Sequence, residues 1–206
     1  MNNVFSTIAF IGTGVMGNSM ASHLLHAGYT VNVYTRTKEK AISLLEKGAK
    51  WFESPKEAIN DADMVISMVG YPSDLEQIYL GQDGIIHHAK PGTYLIDMTT
   101  STPTLAKEIY EKAKENDLKS LDAPVSGGDI GARDAKLTIM VGGDDDDFKV
   151  VEPVLKRLGT NIVHQGLAGS GQHTKMCNQI AIATNMVGVC EALAYAKAAG
   201  LNPENV

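Results

Sequence analysis

Short, continuously apolar runs alternate with longer amphipathic stretches along this chain, a pattern that predicts parallel strands joined by crossover helices. Ile8 to Ile11 (Ile-Ala-Phe-Ile) reads as a strand covered on both faces, and Val15 to Ala27 has helical composition. Gly28 stands where a C-cap glycine belongs, Thr30 to Thr35 is a β-branched strand, and residues 38–47 read as a helix. Ser54-Pro55-Lys56-Glu57 is a capping box with proline at the first helical position, predicting a helix from Pro55 to about Asn60. Met64 to Val69 is the third strand; Gly70-Tyr71-Pro72 breaks it, and Ser73-Asp74-Leu75-Glu76 reads as the cap of another helix. Further strands are expected at 93–98, 118–125, 137–141 and 161–164, with Thr102 capping a helix that begins at Pro103.

The acidic run Asp144 to Asp147 suits the first turn of a helix ending at Lys156-Arg157-Leu158 with Gly159 behind it, because acids favour a helix N-terminus and bases its C-terminus. This alternation defines an α/β protein with a Rossmann-type doubly wound, mostly parallel sheet over residues 1–166. Gly166-Leu167-Ala168-Gly169-Ser170-Gly171 reads as a flexible hinge, and Gln172 to about Ala199 as one long helix. Asn202-Pro203-Glu204 reads as the start of another helix, so residues 167–206 are expected to open an all-α domain that this chain leaves incomplete.

The first strand runs into Gly12-Thr13-Gly14-Val15-Met16-Gly17, a Gly-x-Gly-x-x-Gly turn at a helix N-terminus. Gly12 permits the tight turn, Gly14 admits a pyrophosphate close to the backbone, and Gly17 lets the helix pack on the strand. At the end of the second strand, where an acid would accept adenosine ribose hydroxyls, stand Thr35-Arg36-Thr37. We read Arg36 as a clamp for an NADP 2′-phosphate, with the Thr35 and Thr37 hydroxyls and Lys40 assisting; a solvated arginine opening the next helix is the alternative.

Hydroxyls cluster at the end of the 93–98 strand, leaving Thr99 and Thr100 free to face a nicotinamide or substrate. Ser126-Gly127-Gly128 either exposes consecutive N–H groups to a carboxylate or is a plain turn. On the long helix, Lys175, Asn178 and Gln179 share a face at i, i+3 and i+4. The helix dipole and partial burial would both lower the Lys175 pKa towards a range useful for proton transfer; a surface lysine is the competing view.

Composition narrows the class. Apolar residues make up 44% and charged residues 20%, ordinary for a globular protein, and a formal charge of -6 argues against a sequence-independent nucleic-acid binder. A small-molecule partner fits better. The first residues lack the basic segment of a signal peptide, so a cytoplasmic protein is expected. Cys177 and Cys190 fall thirteen residues apart on one helix, about 20 Å, too far for a disulfide, and are expected as small core residues. The long helix could span a bilayer by length, but Lys175, Asn178, Gln179, Asn185, Glu191 and Lys197 favour burial between domains or between subunits, hence a homodimer or higher oligomer and no membrane. The adjacent His87 and His88 lack ligand spacing, and no metal site is expected.

The chain resembles the β-hydroxyacid dehydrogenases, the group of 3-hydroxyisobutyrate dehydrogenase, tartronate semialdehyde reductase and glyoxylate/succinic semialdehyde reductases. The likeness rests on Phe10 to Gly17, Asp122-Ala123-Pro124-Val125-Ser126-Gly127-Gly128, Gly169-Ser170-Gly171 with Lys175, and Asn178. It implies reversible NAD(P)-dependent oxidation of a 3-hydroxy acid to its semialdehyde or keto acid. By the same resemblance Lys175 exchanges the substrate proton, Asn178 orients substrate and lysine, Ser126, Gly127 and Gly128 hold a carboxylate, Thr100 meets the nicotinamide end, and Met68, Val69 and Gly70 line the cofactor. NADP is the preferred cofactor with NAD possible. The rivals are an NAD-dependent 3-hydroxyisobutyrate dehydrogenase and a non-catalytic dinucleotide-binding or assembly protein of the same fold.

Overall fold

A computed structural model describes residues 4–206. The chain runs β1 (Thr7–Ile11), α1 (Val15–His26), β2 (Thr30–Tyr34), a 3-10 turn (Lys38–Ala41) continuing into α2 (Ile42–Leu45), β3 (Lys50–Trp51), α3 (Pro55–Ile59), β4 (Met64–Ser67), α4 (Pro72–Leu80), α5 (Ile85–His88) and β5 (Tyr94–Asp97). It continues through α6 (Pro103–Glu115), β6 (Lys119–Asp122), β7 (Val125–Ser126), α7 (Gly128–Arg133), β8 (Leu137–Gly142), α8 (Asp145–Leu155), β9 (Gly159–Gly166) and α9 (Ser170–Ala198).

The strands form one sheet in the order β3-β2-β1-β4-β5-β6-β8-β7, with β9 on the other side of β8. β1 pairs in parallel with both β2 and β4, so the strand order reverses there and the loops after β1 and β4 part above the sheet. An open α/β sheet binds ligands at such a switch point. The β1 side chains alternate between two apolar layers. Ile8 and Phe10 pack with α1 residues Met20 and Leu24, whereas Ala9 and Ile11 pack with Leu75, Tyr79 and Leu105 on the other face. Covering both faces explains why β1 and β4 carry no polar alternation.

Several local expectations hold in atomic detail. Ser54 Oγ accepts the Glu57 N–H at 3.2 Å and Thr102 Oγ1 accepts the Leu105 N–H at 3.2 Å. Asp144 is the N-cap of α8 and Gly28 adopts φ 90° just past α1.

Others are corrected. The helix expected at 38–47 is a 3-10 turn and a single α turn. α4 begins at Pro72 with Tyr71 as an N-cap that supplies no side-chain hydrogen bond, so Ser73 is inside the helix. The strand expected at 118–125 divides around Ala123-Pro124 into β6 and β7, both antiparallel to β8 in one register, with only β6 also pairing in parallel with β5. The last strand is longer than 161–164, absorbing Gly166.

α9 is mostly uncovered. Among its residues only Gly171, Gln172, Lys175 and Ala196 are buried, while Ile180, Met186, Val187 and Tyr195 are more than half exposed. Cys177 and Cys190 are free and exposed rather than core residues, since the sheet reaches only the first turns of the helix.

Candidate active site

The glycine turn is built as its spacing requires. Gly12 holds φ 97°, and a Cβ there would run into the Met68 carbonyl; a Cβ on Gly17 would run into the Gly12 carbonyl. Around Gly14, by contrast, a Cβ would meet nothing within 4 Å. Two glycines serve close packing and the third leaves an opening. The N-terminus of α1 faces that opening with no side-chain cap and no acid in its first turn, which leaves its N–H groups for an anion. Thr13 Oγ1 is buried there without a partner.

The opening is a cleft of about 860 Å³ lined by Gly12, Thr13, Gly14, Val15, Met16, Gly17, Thr35, Arg36, Thr37, Met68, Val69 and Gly70, the residues expected to hold the cofactor apart from Thr100. Lys40 lines it as well. The residues fit a dinucleotide: a glycine cradle with space beside it, a free helix N-terminus and an orphaned hydroxyl. Arg36 reaches across to Asp74 on α4, Nη1 to Oδ1 at 3.1 Å.

A second cavity of about 350 Å³ adjoins the first, sharing Met16 and Met68 as walls. Thr100, Ser126, Gly127, Gly128 and Lys175 line it together, so residues far apart in sequence meet where a nicotinamide end and a substrate would sit. Gly127 holds φ 132°, a conformation that in practice only glycine adopts, and Gly128 holds φ 62°, where glycine is favoured. Lys175 is only 8% exposed, and burial lowers its pKa below the ordinary lysine range. Gln179, one turn further, lines the cavity; Asn178 does not, and its buried Oδ1 has no partner.

Thr99 is not free. Its Oγ1 accepts the Val69 N–H at 3.1 Å and its side chain is 1% exposed, tying the β5 loop to the β4 loop.

Three buried groups that sequence reasoning missed hold these loops. Asp122, at the end of β6, accepts the Gly169 and Gln172 N–H groups, each at 2.8 Å, and so caps α9. The expected hinge at 166–171 is thereby pinned, because a buried carboxylate and the unpaired N–H groups of a helix start satisfy each other. Burial still raises the Asp122 pKa, against the lowering effect of those bonds. Gln172, fully buried, donates Nε2–H to the Thr99 carbonyl at 2.7 Å and accepts the Ser101 N–H at 2.9 Å. One amide thus brackets Thr100 and sits three residues before Lys175. Asp97 accepts the Ser67 hydroxyl and the Thr99 N–H at 2.9 and 3.0 Å, and burial pushes its pKa up to about 7. For Asp97 and Asp122 the sequence signal was a polar residue at the end of an apolar strand; Gln172, in the first turn of α9, had none.

A free helix N-terminus at a topological switch point, opening beside a buried lysine, defines the class: a Rossmann-type dinucleotide-binding domain with a polar pocket at the nicotinamide end. Residues 7–166 match the model for the NAD binding domain of 6-phosphogluconate dehydrogenase, and residues 169–206 that for the NAD-binding region of NADP-dependent 3-hydroxyisobutyrate dehydrogenase. The chain is 62% identical over 200 residues to an uncharacterized oxidoreductase, YkwC, of Bacillus subtilis, covering 97% of this chain and 69% of that protein. It is 43% identical to an NAD-dependent L-serine dehydrogenase of Pseudomonas aeruginosa, covering 94% and 65%. A Mycobacterium tuberculosis 3-hydroxyisobutyrate dehydrogenase structure with L-serine superposes with a TM-score of 0.89 at 36% identity, covering 97% and 67%. The chain belongs to the β-hydroxyacid dehydrogenase family. It spans about two thirds of the length of these relatives.

Proposed function

We propose that this chain carries the cofactor site and the acid/base lysine of a cytoplasmic NADP-preferring oxidoreductase that interconverts a small 3-hydroxy acid and its semialdehyde or keto acid. The observation that carries it is the burial of Lys175 in the cavity it shares with Ser126, Gly127, Gly128 and Thr100, next to the dinucleotide cleft.

Bound nicotinamide supplies a hydride acceptor or donor; everything else falls to the chain. Ser126 and the N–H groups of Gly127 and Gly128 hold the substrate carboxylate, and Lys175 Nζ takes the hydroxyl proton during oxidation and returns it to the carbonyl oxygen during reduction. Among the described residues no carboxylate pairs with Lys175, and burial alone lowers its pKa, so proton uptake from an alcohol and release to water are more nearly balanced. Asn178, three residues on, lies outside the cavity lining with its buried Oδ1 unpartnered, so the orienting role expected of it has no contact behind it here. The NADP preference rests on Thr35, Arg36, Thr37 and Lys40, with no acid at the end of β2. The exposed apolar residues of α9 support an assembly in which a second subunit or further chain covers them.

The test is Lys175→Met in the whole protein, assayed with NADPH against glyoxylate, succinic semialdehyde, tartronate semialdehyde and, in reverse, 3-hydroxyisobutyrate. Turnover is expected to fall about 10²- to 10⁴-fold while NADPH affinity is kept. Turnover within threefold of wild type would remove the acid/base assignment and favour a non-catalytic binding protein.

A further inference from the structure

The acid that usually accepts adenosine ribose hydroxyls at the end of β2 is missing from that position, but the fold supplies one from 38 residues away. Asp74, in the first turn of α4, lines the same cleft as Arg36 and meets it at two points, Oδ1 with Nη1 at 3.1 Å and Oδ2 with Nη2 at 3.5 Å. The two partners are unequally held. Asp74 is 18% exposed and Arg36 76%, so packing fixes the carboxylate while the guanidinium is free to swing. Lys40 and Asp83 line the same cleft, giving two basic and two acidic side chains. Their formal charges cancel, which is unlike a pocket devoted to a 2′-phosphate carrying close to two negative charges.

We propose that Asp74 is a cofactor-discriminating residue: its carboxylate accepts hydrogen bonds from an unphosphorylated adenosine ribose and repels a 2′-phosphate, so the Arg36–Asp74 pair admits NADH as well as NADPH. With NADH the pair stays closed, Asp74 meeting the ribose while Arg36 remains on its carboxylate. With NADPH the exposed guanidinium leaves Asp74 for the phosphate, and the stranded carboxylate opposes binding. This deepens the dinucleotide reading of the cleft and rests on it.

The test is direct binding of NADH and NADPH to this chain by calorimetry, for wild type, Asp74→Asn, Asp74→Ser and Arg36→Ala, at two salt concentrations. One negative charge close to a solvated phosphate is worth about 3- to 10-fold in affinity. Asp74→Asn and Asp74→Ser are therefore expected to bind NADPH about 3- to 10-fold more tightly and NADH more weakly, with the NADPH gain shrinking at high salt. Arg36→Ala is expected to reverse the preference. A general loosening of the cleft would weaken both cofactors and leave their ratio alone. An NADPH-to-NADH ratio within twofold of wild type in both Asp74 variants overturns the proposal. So does weaker NADPH binding in them, which would mean that the carboxylate orients Arg36 for the phosphate. Wild type that binds neither cofactor sinks the dinucleotide reading itself, a result separable from the other two.

Discussion

Replacing Gln172 with leucine tests whether one buried amide docks the long helix onto the dinucleotide domain. The side chain is fully buried and bonds the Thr99 carbonyl at 2.7 Å and the Ser101 N–H at 2.9 Å, so leucine, close in volume, strands both backbone groups where Thr99 and Ser101 are 1% and 4% exposed. Each buried group left without a partner costs about 1–3 kcal/mol, and the extra apolar burial of leucine offsets about 1–2 kcal/mol of the total. The net loss is about 3 kcal/mol, which for a chain of this size lowers Tm by about 6–12 °C. Urea titration followed by far-UV circular dichroism, with m held constant, measures it. Gln172→Glu sets a buried carboxylate oxygen against the Thr99 carbonyl, and is expected to be no more stable than the leucine variant at pH 8 and to recover as the pH falls and the carboxyl takes up a proton. A leucine variant within 0.5 kcal/mol of wild type would show that the two bonds do not hold the helix, and the docking argument would be wrong.

Gly17→Ala is expected to cost about 2–3 kcal/mol and abolish dinucleotide binding, because its Cβ collides with the Gly12 carbonyl, whereas Gly14→Ala, beside open space, should leave the melting temperature unchanged and still weaken the cofactor; normal cofactor affinity in Gly14→Ala would refute the cradle. The raised pKa of Asp97, about 7 against 3.8, means that the folded state holds its proton more tightly than the unfolded chain between those values. Stability from this group is therefore greatest at the acid end of the window and lost as pH rises towards 7, by on the order of 4 kcal/mol. Asp97→Asn should accordingly be less stable than wild type near pH 5 and no less stable near pH 8; a constant difference across that range would show that Asp97 does not titrate.

Local chemistry made the first half of the site legible. The spacing Gly12-x-Gly14-x-x-Gly17 marks a tight turn, and the structure packs Gly12 against the Met68 carbonyl and Gly17 against the Gly12 carbonyl while leaving open space beside Gly14. Ser54 and Thr102 cap their helices because a hydroxyl three residues ahead of a free N–H is itself a local relation. Continuous apolar runs marked β1 and β4 as strands covered on both faces, and the Ser126 to Gly128 turn and Lys175 stood out as chemistry without a partner. Cys177, Cys190 and the exposed stretch of α9 went the other way: an apolar pattern says that a face seeks cover, and this chain holds too little beyond its sheet to cover them.

What the tertiary structure alone decided lies in contacts between residues distant in sequence. Gln172 meets Thr99 across 73 residues, Asp122 meets the start of α9 across about 50, and Asp74 meets Arg36 across 38. None has a local spacing that could announce it, because each depends on the order in which the strands are laid into the sheet. The first residues could thus reveal that a dinucleotide binds, since a glycine turn needs only its neighbours. Which dinucleotide the cleft favours, and where Lys175 stands over it, depend on the sheet order that brings α4 to β2 and α9 to the ends of β5 and β6.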